Sequence, residues 1–302
     1  MVEVSGEELY QWRNRSIELA IAADVPTKEV DWLLQKVTTL DALHLRLGTF
    51  KKKPSINLSN SLPQLTELWQ KRVKDRLPVQ YLVGRSFWRD WEFKVSQQVL
   101  IPRPETELVI DIIQNVVRGS VQQENICQQQ ETHWVDLGTG SGAIAIGLAT
   151  CLPTAIVHAV DISDQALKIA QENAQLAQLS AKIIFYQGNW WQPLPQLQGK
   201  VAGMVSNPPY IPTAELPHLQ PEVFLHEPHL ALDGGEDGLA AIRYLIAESP
   251  KYLVSGGIWL VEIMAGQAPE VTKLLKDQSE YEQVEIIQDL AGIERFILAH
   301  RV

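Results

Sequence analysis

Val135-Asp136-Leu137-Gly138-Thr139-Gly140-Ser141-Gly142, running on into Ala143-Ile144-Ala145-Ile146, is the stretch that decides the fold. An apolar strand ends at Leu137, alternate glycines make a turn, and a helix of small and branched residues begins. Glycine tolerates positive φ and lets a ligand approach the backbone without meeting a Cβ. In open α/β sheets ligands bind beyond the carboxyl ends of the strands, so this turn predicts a cofactor site. The spacing is G-x-G-x-G, which differs from the G-x-G-x-x-G of dinucleotide enzymes.

Apolar runs on either side of that turn predict strands at 134–137, 155–161, 182–187, 201–206, 257–263, 282–288 and 294–300. Helical spacing predicts helices at 142–151, 164–178, 236–253 and 267–277. Such alternation implies an α/β fold with a mostly parallel, doubly wound sheet. The link around Gly292 is too short for a crossover helix, so the last two strands should pair antiparallel.

Toward the N-terminus the pattern changes. Leu9, Trp12, Ile17 and Ile21 share one helical face, as do Val30, Leu33, Leu34, Val37 and Leu40. Pro26-Thr27 separates these two helices, and a third runs from Leu62 to Asp75. The aromatic, loosely alternating Arg85-Ser86-Phe87-Trp88-Arg89-Asp90-Trp91-Glu92-Phe93 predicts a β-hairpin. After Pro102-Arg103-Pro104 a helix should run from Glu105 to about Val117, followed by a polar, glutamine-rich loop at 119–132. The domains expected are a helical one at 1–80, a hairpin linker at 81–100 and a catalytic one at 101–302.

The net charge is −10, unevenly spread over the 302 residues. Residues 1–80 hold 12 Lys+Arg against 10 Asp+Glu, whereas the rest hold 14 against 26. So acidic a catalytic portion is poorly suited to gripping a phosphate backbone, and no direct nucleic-acid partner is expected. Lys51-Lys52-Lys53 reads as a solvated loop. No run of 18 apolar residues and no basic-then-apolar leader occurs, so a cytoplasmic protein without a membrane partner is expected. Cys127 and Cys151 have no metal-ligand spacing, and no metal is expected.

Two further groups carry chemistry. Asp161 closes the second strand 23 residues after Gly138, where a carboxylate can accept both hydroxyls of a ribose. The alternative is a helix cap, a role that Ser163 or Asp164 fills better. The other group is Ser206-Asn207-Pro208-Pro209-Tyr210, which follows the apolar strand Val201 to Val205. Two prolines end a strand and drive Asn207 out of the helical region, so this turn is stiff. An amide or exocyclic amine nitrogen is a poor nucleophile, because its lone pair is delocalised. The Asn207 side-chain carbonyl and the Pro208 backbone carbonyl can each accept one of its N–H groups, fixing the lone pair in place. Tyr210 would pack on the planar group being modified.

Together with Ile101-Pro102-Arg103-Pro104-Glu105-Thr106-Glu107, Glu227-Pro228-His229-Leu230-Ala231-Leu232, Gly234-Gly235-Glu236-Asp237-Gly238 and Ala291-Gly292-Ile293-Glu294-Arg295, these motifs resemble the release-factor glutamine N(5)-methyltransferases (PrmC/HemK family). The resemblance covers nearly the whole chain. It implies a class I, Rossmann-like methyltransferase sheet of seven strands with an antiparallel end pair. It also implies methyl transfer from S-adenosylmethionine, leaving S-adenosylhomocysteine, to the glutamine of the Gly-Gly-Gln motif of class 1 peptide-chain release factors. Gly138, Thr139, Gly140, Ser141, Gly142, Asp161, Trp190 and Asn207 would hold the cofactor, with Trp190 beside the adenine. Asn207, Pro208, Pro209 and Tyr210 would hold the glutamine, and Asn207, Pro208 and Tyr210 would serve catalysis. Asn189 stands where an aspartate is common, and Met264 where glycine is usual. Arg103 and Glu227 could each contact substrate or form a structural ion pair. For Trp88 and Trp91, core packing is favoured over contact with a partner.

Two other readings compete. An adenine or guanine amino-methyltransferase acting on DNA or RNA shares the Asn-Pro-Pro-Tyr loop, but no basic, aromatic-interleaved module accompanies it. A nucleotide-binding regulator with a NAD-type fold would have no use for that loop.

Overall fold

A computed structural model describes residues 2–123 and 132–302. Cys127 and most of the glutamine-rich stretch lie outside the described residues. The chain divides into two compact units. The first runs to Gly84 and takes in Gln220–His226; the second holds Arg85–Leu219 and Glu227–Val302.

The first unit is built on helices Gly6–Ala22, Lys28–Val37, Ala42–Leu47, Leu62–Lys74 and Val79–Val83. Ser5 with Glu8, and Ser61 with Gln64, form reciprocal capping boxes, which satisfy backbone donors at two helix starts. Leu9, Leu33, Leu34, Phe50 and Leu65 are wholly buried in one apolar cluster. Two indole N–H groups in that cluster are paired: Trp12 donates to Thr66 Oγ1 at 2.9 Å and Trp69 to the Ser16 carbonyl at 3.0 Å. Gly6 has to be glycine, since a Cβ there would lie 2.0 Å from the Phe50 carbonyl oxygen. Strands β1 (Val2–Val4) and β2 (Ile56–Leu58) pair antiparallel, a contact across some fifty residues that periodicity did not reveal. Lys51, Lys52 and Lys53 are exposed, and Lys51 sits over the Tyr10 ring at 4.5 Å.

The second unit opens with the predicted hairpin, β3 (Arg85–Trp88) and β4 (Trp91–Lys94), pairing antiparallel. Trp88 and Phe93 are buried and meet edge to face at 6.0 Å, so Trp88 is a packing residue. A 3-10 turn at Glu105–Glu107 then leads into the helix Leu108–Gln123.

The sheet contains β5 (Thr132–Leu137), β6 (Ala155–Asp161), β7 (Ile183–Gln187), β8 (Val201–Ser206), β9 (Leu253–Glu262), β10 (Tyr281–Gln288) and β11 (Glu294–Arg301). Its order is β10-β11-β9-β8-β5-β6-β7. All neighbours from β9 to β7 run parallel, while β11 is antiparallel to both β9 and β10. Chain order reverses between β5 and β8, so the ends of these two strands flank a switch point, where ligands bind in open sheets.

Helices Ala143–Cys151, Asp164–Leu176, Ala240–Glu248 and Ala268–Gln278 connect the strands. The third is much shorter than the predicted 236–253. Gly238 holds φ +76°, which a helix cannot include, and Pro250 sits in a separate 3-10 turn at Ser249–Lys251. Among the described residues no helix is long and apolar enough to cross a membrane.

Candidate active site

Beyond the carboxyl ends of β5, β6 and β8 the second unit encloses a cavity of about 610 Å³. One wall is the glycine turn. The backbone N–H groups of Gly138 and Thr139 both donate to the Val160 carbonyl at 2.9 Å, folding the turn across to β6. Gly138, Thr139, Gly140 and Ser141 line the cavity. Gly142 does not: it precedes the Ala143–Cys151 helix at φ +85°, and a Cβ there would press on Ala170 at 3.1 Å. Its freedom serves helix packing.

Asp161 lines the same wall and accepts two backbone N–H groups, from Gly140 at 2.8 Å and Ser163 at 2.9 Å. The helix cap itself is Ser163, whose hydroxyl accepts from Ala166 N. Burial raises the Asp161 carboxyl above its ordinary range, against the pull of these donors.

Asp136, to which the sequence reading gave no part, lies one turn deeper. It is fully buried, and its Oδ2 accepts from Thr139 Oγ1 at 2.6 Å and Ala145 N at 3.0 Å. Its Oδ1 has no hydrogen-bond partner among the described residues. Burial pushes this carboxyl up to about 7. Through these two bonds it ties the glycine turn to the start of the following helix, without itself lining the cavity.

Asn189 and Trp190 form a further part of the lining. Trp190 holds φ +52°, unusual for a bulky residue, and its ring lies 3.5 Å from where a Gly138 Cβ would stand. Glycine at 138 therefore leaves room for an aromatic wall.

Asn207 and Pro209 line the cavity, whereas Pro208 and Tyr210 do not. Ser206 Oγ donates to the Leu137 carbonyl at 2.6 Å, tying the start of the loop to the glycine turn's own strand. Asn207 Nδ2 donates to Thr106 Oγ1 at 3.2 Å, and Thr106 donates to Glu262 Oε2 at 2.6 Å. The Tyr210 hydroxyl donates to the other oxygen of Glu262 at 3.1 Å, and its ring packs on the core of the unit. Gln267, itself buried, donates to the Tyr210 carbonyl at 3.0 Å and accepts from Met264 N at 2.9 Å. The residue at 264 thus contributes its backbone to this anchor. The sequence motifs assign no role to Thr106, Glu262 or Gln267. A carboxylate ending the apolar run Gly257-Ile258-Trp259-Leu260-Val261 was the available signal.

Arg103 and Glu227 pair with each other, the guanidinium reaching both carboxylate oxygens at 2.8 and 2.9 Å. Burial raises the Glu227 carboxyl and Arg103 opposes the rise. The pair holds the Ile101–Pro104 segment to the Glu227–Leu232 segment, and Arg103 also lines the cavity. No cluster of metal-ligating side chains occurs among the described residues.

Residues 120–236 match the family described as "Methyltransferase small domain". The chain is 54% identical to a release factor glutamine methyltransferase of Synechocystis sp. over 98% of its own length and 97% of the relative's. It is 46% identical to one of Thermosynechococcus vestitus, covering 98% and 99% of the two chains. Among solved structures, the hMettl16 catalytic domain superposes with a TM-score of 0.55 at 14% identity, over 89% of this chain and 88% of that one. At that identity the likeness speaks for the methyltransferase fold alone.

Proposed function

Because the chain belongs to the family of release factor glutamine methyltransferases, we propose that it methylates the side-chain amide nitrogen of the glutamine in the Gly-Gly-Gln motif of class 1 peptide-chain release factors, with S-adenosylmethionine as donor. The observation that carries this reading is that Asn207 and the glycine turn line one cavity.

The cavity suits the donor. In this reading Asp161, which lines the cavity, accepts the ribose hydroxyls and Trp190, also in the lining, packs on the adenine. S-adenosylmethionine supplies a methyl group on a sulfonium, which is activation enough for a neutral amide nitrogen. Asn207 Oδ1 and the Pro208 carbonyl each accept one N–H of the glutamine amide, pointing its lone pair at the methyl carbon. When bound, S-adenosylmethionine would give up its methyl group and leave as S-adenosylhomocysteine, and the methylated nitrogen would release its extra proton to solvent. Tyr210 holds the loop's far end through Glu262.

One glutamine side chain offers little area, while specific protein recognition buries about 800 Å² on each partner. Residues 1–80 and the hairpin are the surfaces proposed to supply the remainder, in the cytoplasm where release factors work. Mass spectrometry of a co-expressed release factor should place the added methyl on the Gly-Gly-Gln glutamine. Methyl incorporation into nucleic acid but not into release factor would overturn the assignment.

A further inference from the structure

We infer that Thr106 and Glu262 are positioning residues which decide the end of the Asn207 amide that faces the reacting nitrogen. This rests on the proposed role of Asn207. The two ends of an asparagine amide have nearly the same shape, so only hydrogen bonds can set which is the oxygen. The Thr106 hydroxyl has a single hydrogen, and Glu262 takes it at 2.6 Å. What the threonine oxygen then offers is lone pairs, and the group of Asn207 facing it, 3.2 Å away, has to be the NH2. The carbonyl oxygen is thereby turned the other way, as the acceptor a substrate amide needs.

The same carboxylate fixes the other end of the loop. Its second oxygen receives the one hydrogen of Tyr210, three residues beyond Asn207. Burial raises the Glu262 carboxyl, while the hydrogen bonds from Thr106 and Tyr210 and the charge of Arg295 oppose the rise; in its ionised form it is an acceptor only, and both hydroxyls donate to it. Burial makes the arrangement strict: Thr106 is 5% exposed and Glu262 1%. Neither residue is assigned to contact substrate; each acts through Asn207 or Tyr210.

The test uses five variants of the full chain, assayed on intact release factor with separate kcat and KM, a calorimetric cofactor affinity and a melting curve. Thr106→Val keeps the shape and removes the relay; kcat should fall about 30-fold or more, with cofactor affinity within about threefold. Thr106→Ser restores the hydroxyl and should return kcat to within about threefold of the parent. Glu262→Gln offers one acceptor where two are needed and should also lower kcat. Because the two residues act in series, the double variant Thr106→Val/Glu262→Gln should be no slower than the worse single one. Asn207→Ala separates the two layers of the argument. If it retains turnover, the role of Asn207 itself is wrong. If it is inactive while Thr106→Val stays within threefold of the parent, or if the two relay penalties multiply, the relay is wrong. Should Thr106→Val melt far below the parent and Thr106→Ser fail to recover kcat, the threonine merely packs, which also overturns the relay.

Discussion

At the scale of single residues the site pairs carboxylates that burial disfavours with donors that partly compensate. Asp161→Ala removes the acceptor of Gly140 N as well as the proposed ribose contact. S-adenosylmethionine affinity should drop about 10- to 100-fold, the worth of a hydrogen bond to a charged group. Unchanged affinity by calorimetry would take Asp161 out of the cofactor site. Asn207→Ala should cost about 100-fold or more in turnover while leaving that affinity within a few-fold. Asp136 makes a prediction about pH. Its folded carboxyl titrates near 7, above the ordinary 3.8, so between those values the folded state holds a proton that the unfolded state has released. Stability from this group therefore falls as pH rises from about 4 to about 7, by up to about 1.4 kcal/mol per pH unit. Denaturant titrations of the parent and of Asp136→Asn should differ by that slope, and parallel curves would refute it. Asn207 and Asp161 were legible because each ends an apolar run beside a turn. Thr106 and Glu262 were not: they lie 156 residues apart, and what they do exists only once they meet.

At the scale of elements, most of the parallel strands were legible to within two residues, because buried β-branched runs bounded by glycine, proline or aspartate have few other readings; β9 instead begins at Leu253, four residues before its expected start. The short pieces of the first unit were missed for the opposite reason. Pairing of β1 with β2 depends on residues far apart in the chain, and a six-residue helix such as Ala42–Leu47 has too few turns for a periodicity. The sheet also holds a polar row that no strand pattern announced. His133 Nδ1 lies 3.1 Å from His158 Nε2, and His158 Nδ1 lies 3.1 Å from the Tyr186 hydroxyl, across β5, β6 and β7. Burial, with His133 adding to it, pushes His158 down to about 4. The folded state thus keeps His158 neutral where the unfolded chain, with its ordinary value of 6.5, would protonate it. The stability from this row is present above about 6.5 and is lost as pH falls toward 4. Removing it with His158→Phe should destabilise the protein at pH 8, and the deficit should narrow on acidification. A deficit independent of pH would show that the row is held by packing alone.

At the scale of the whole molecule the chain crosses between its two units three times, at Gly84, Leu219 and His226. The expected boundary was at residue 80; the second and third crossings depend on where Gln220–His226 packs. That segment leaves the second unit after the Asn-Pro-Pro-Tyr loop and returns at Glu227, the partner of Arg103. Within the first unit Glu222 is gripped by Arg72 at 2.9 Å and Arg76 at 2.7 Å, and His226 bonds to the Asp75 carbonyl. Arg72 is 2% exposed and also pairs with Glu29, so its charge is committed to this clamp. The chain segment between the Asn-Pro-Pro-Tyr loop and Glu227 is thus held within the first unit, the one proposed to dock the release factor. Glu222→Ala should cost about 1–3 kcal/mol of stability, since it strips a charged partner from a buried guanidinium. Its kcat/KM on intact release factor should fall several-fold, while a short Gly-Gly-Gln peptide, a poor substrate throughout, should be methylated at nearly the parental rate. Deleting residues 1–80 should have the same signature in stronger form, with S-adenosylmethionine still bound. Equal losses on protein and peptide would mean that the clamp maintains the catalytic unit. A soluble truncation with full activity on intact release factor would mean that the helices neither dock the partner nor support the site.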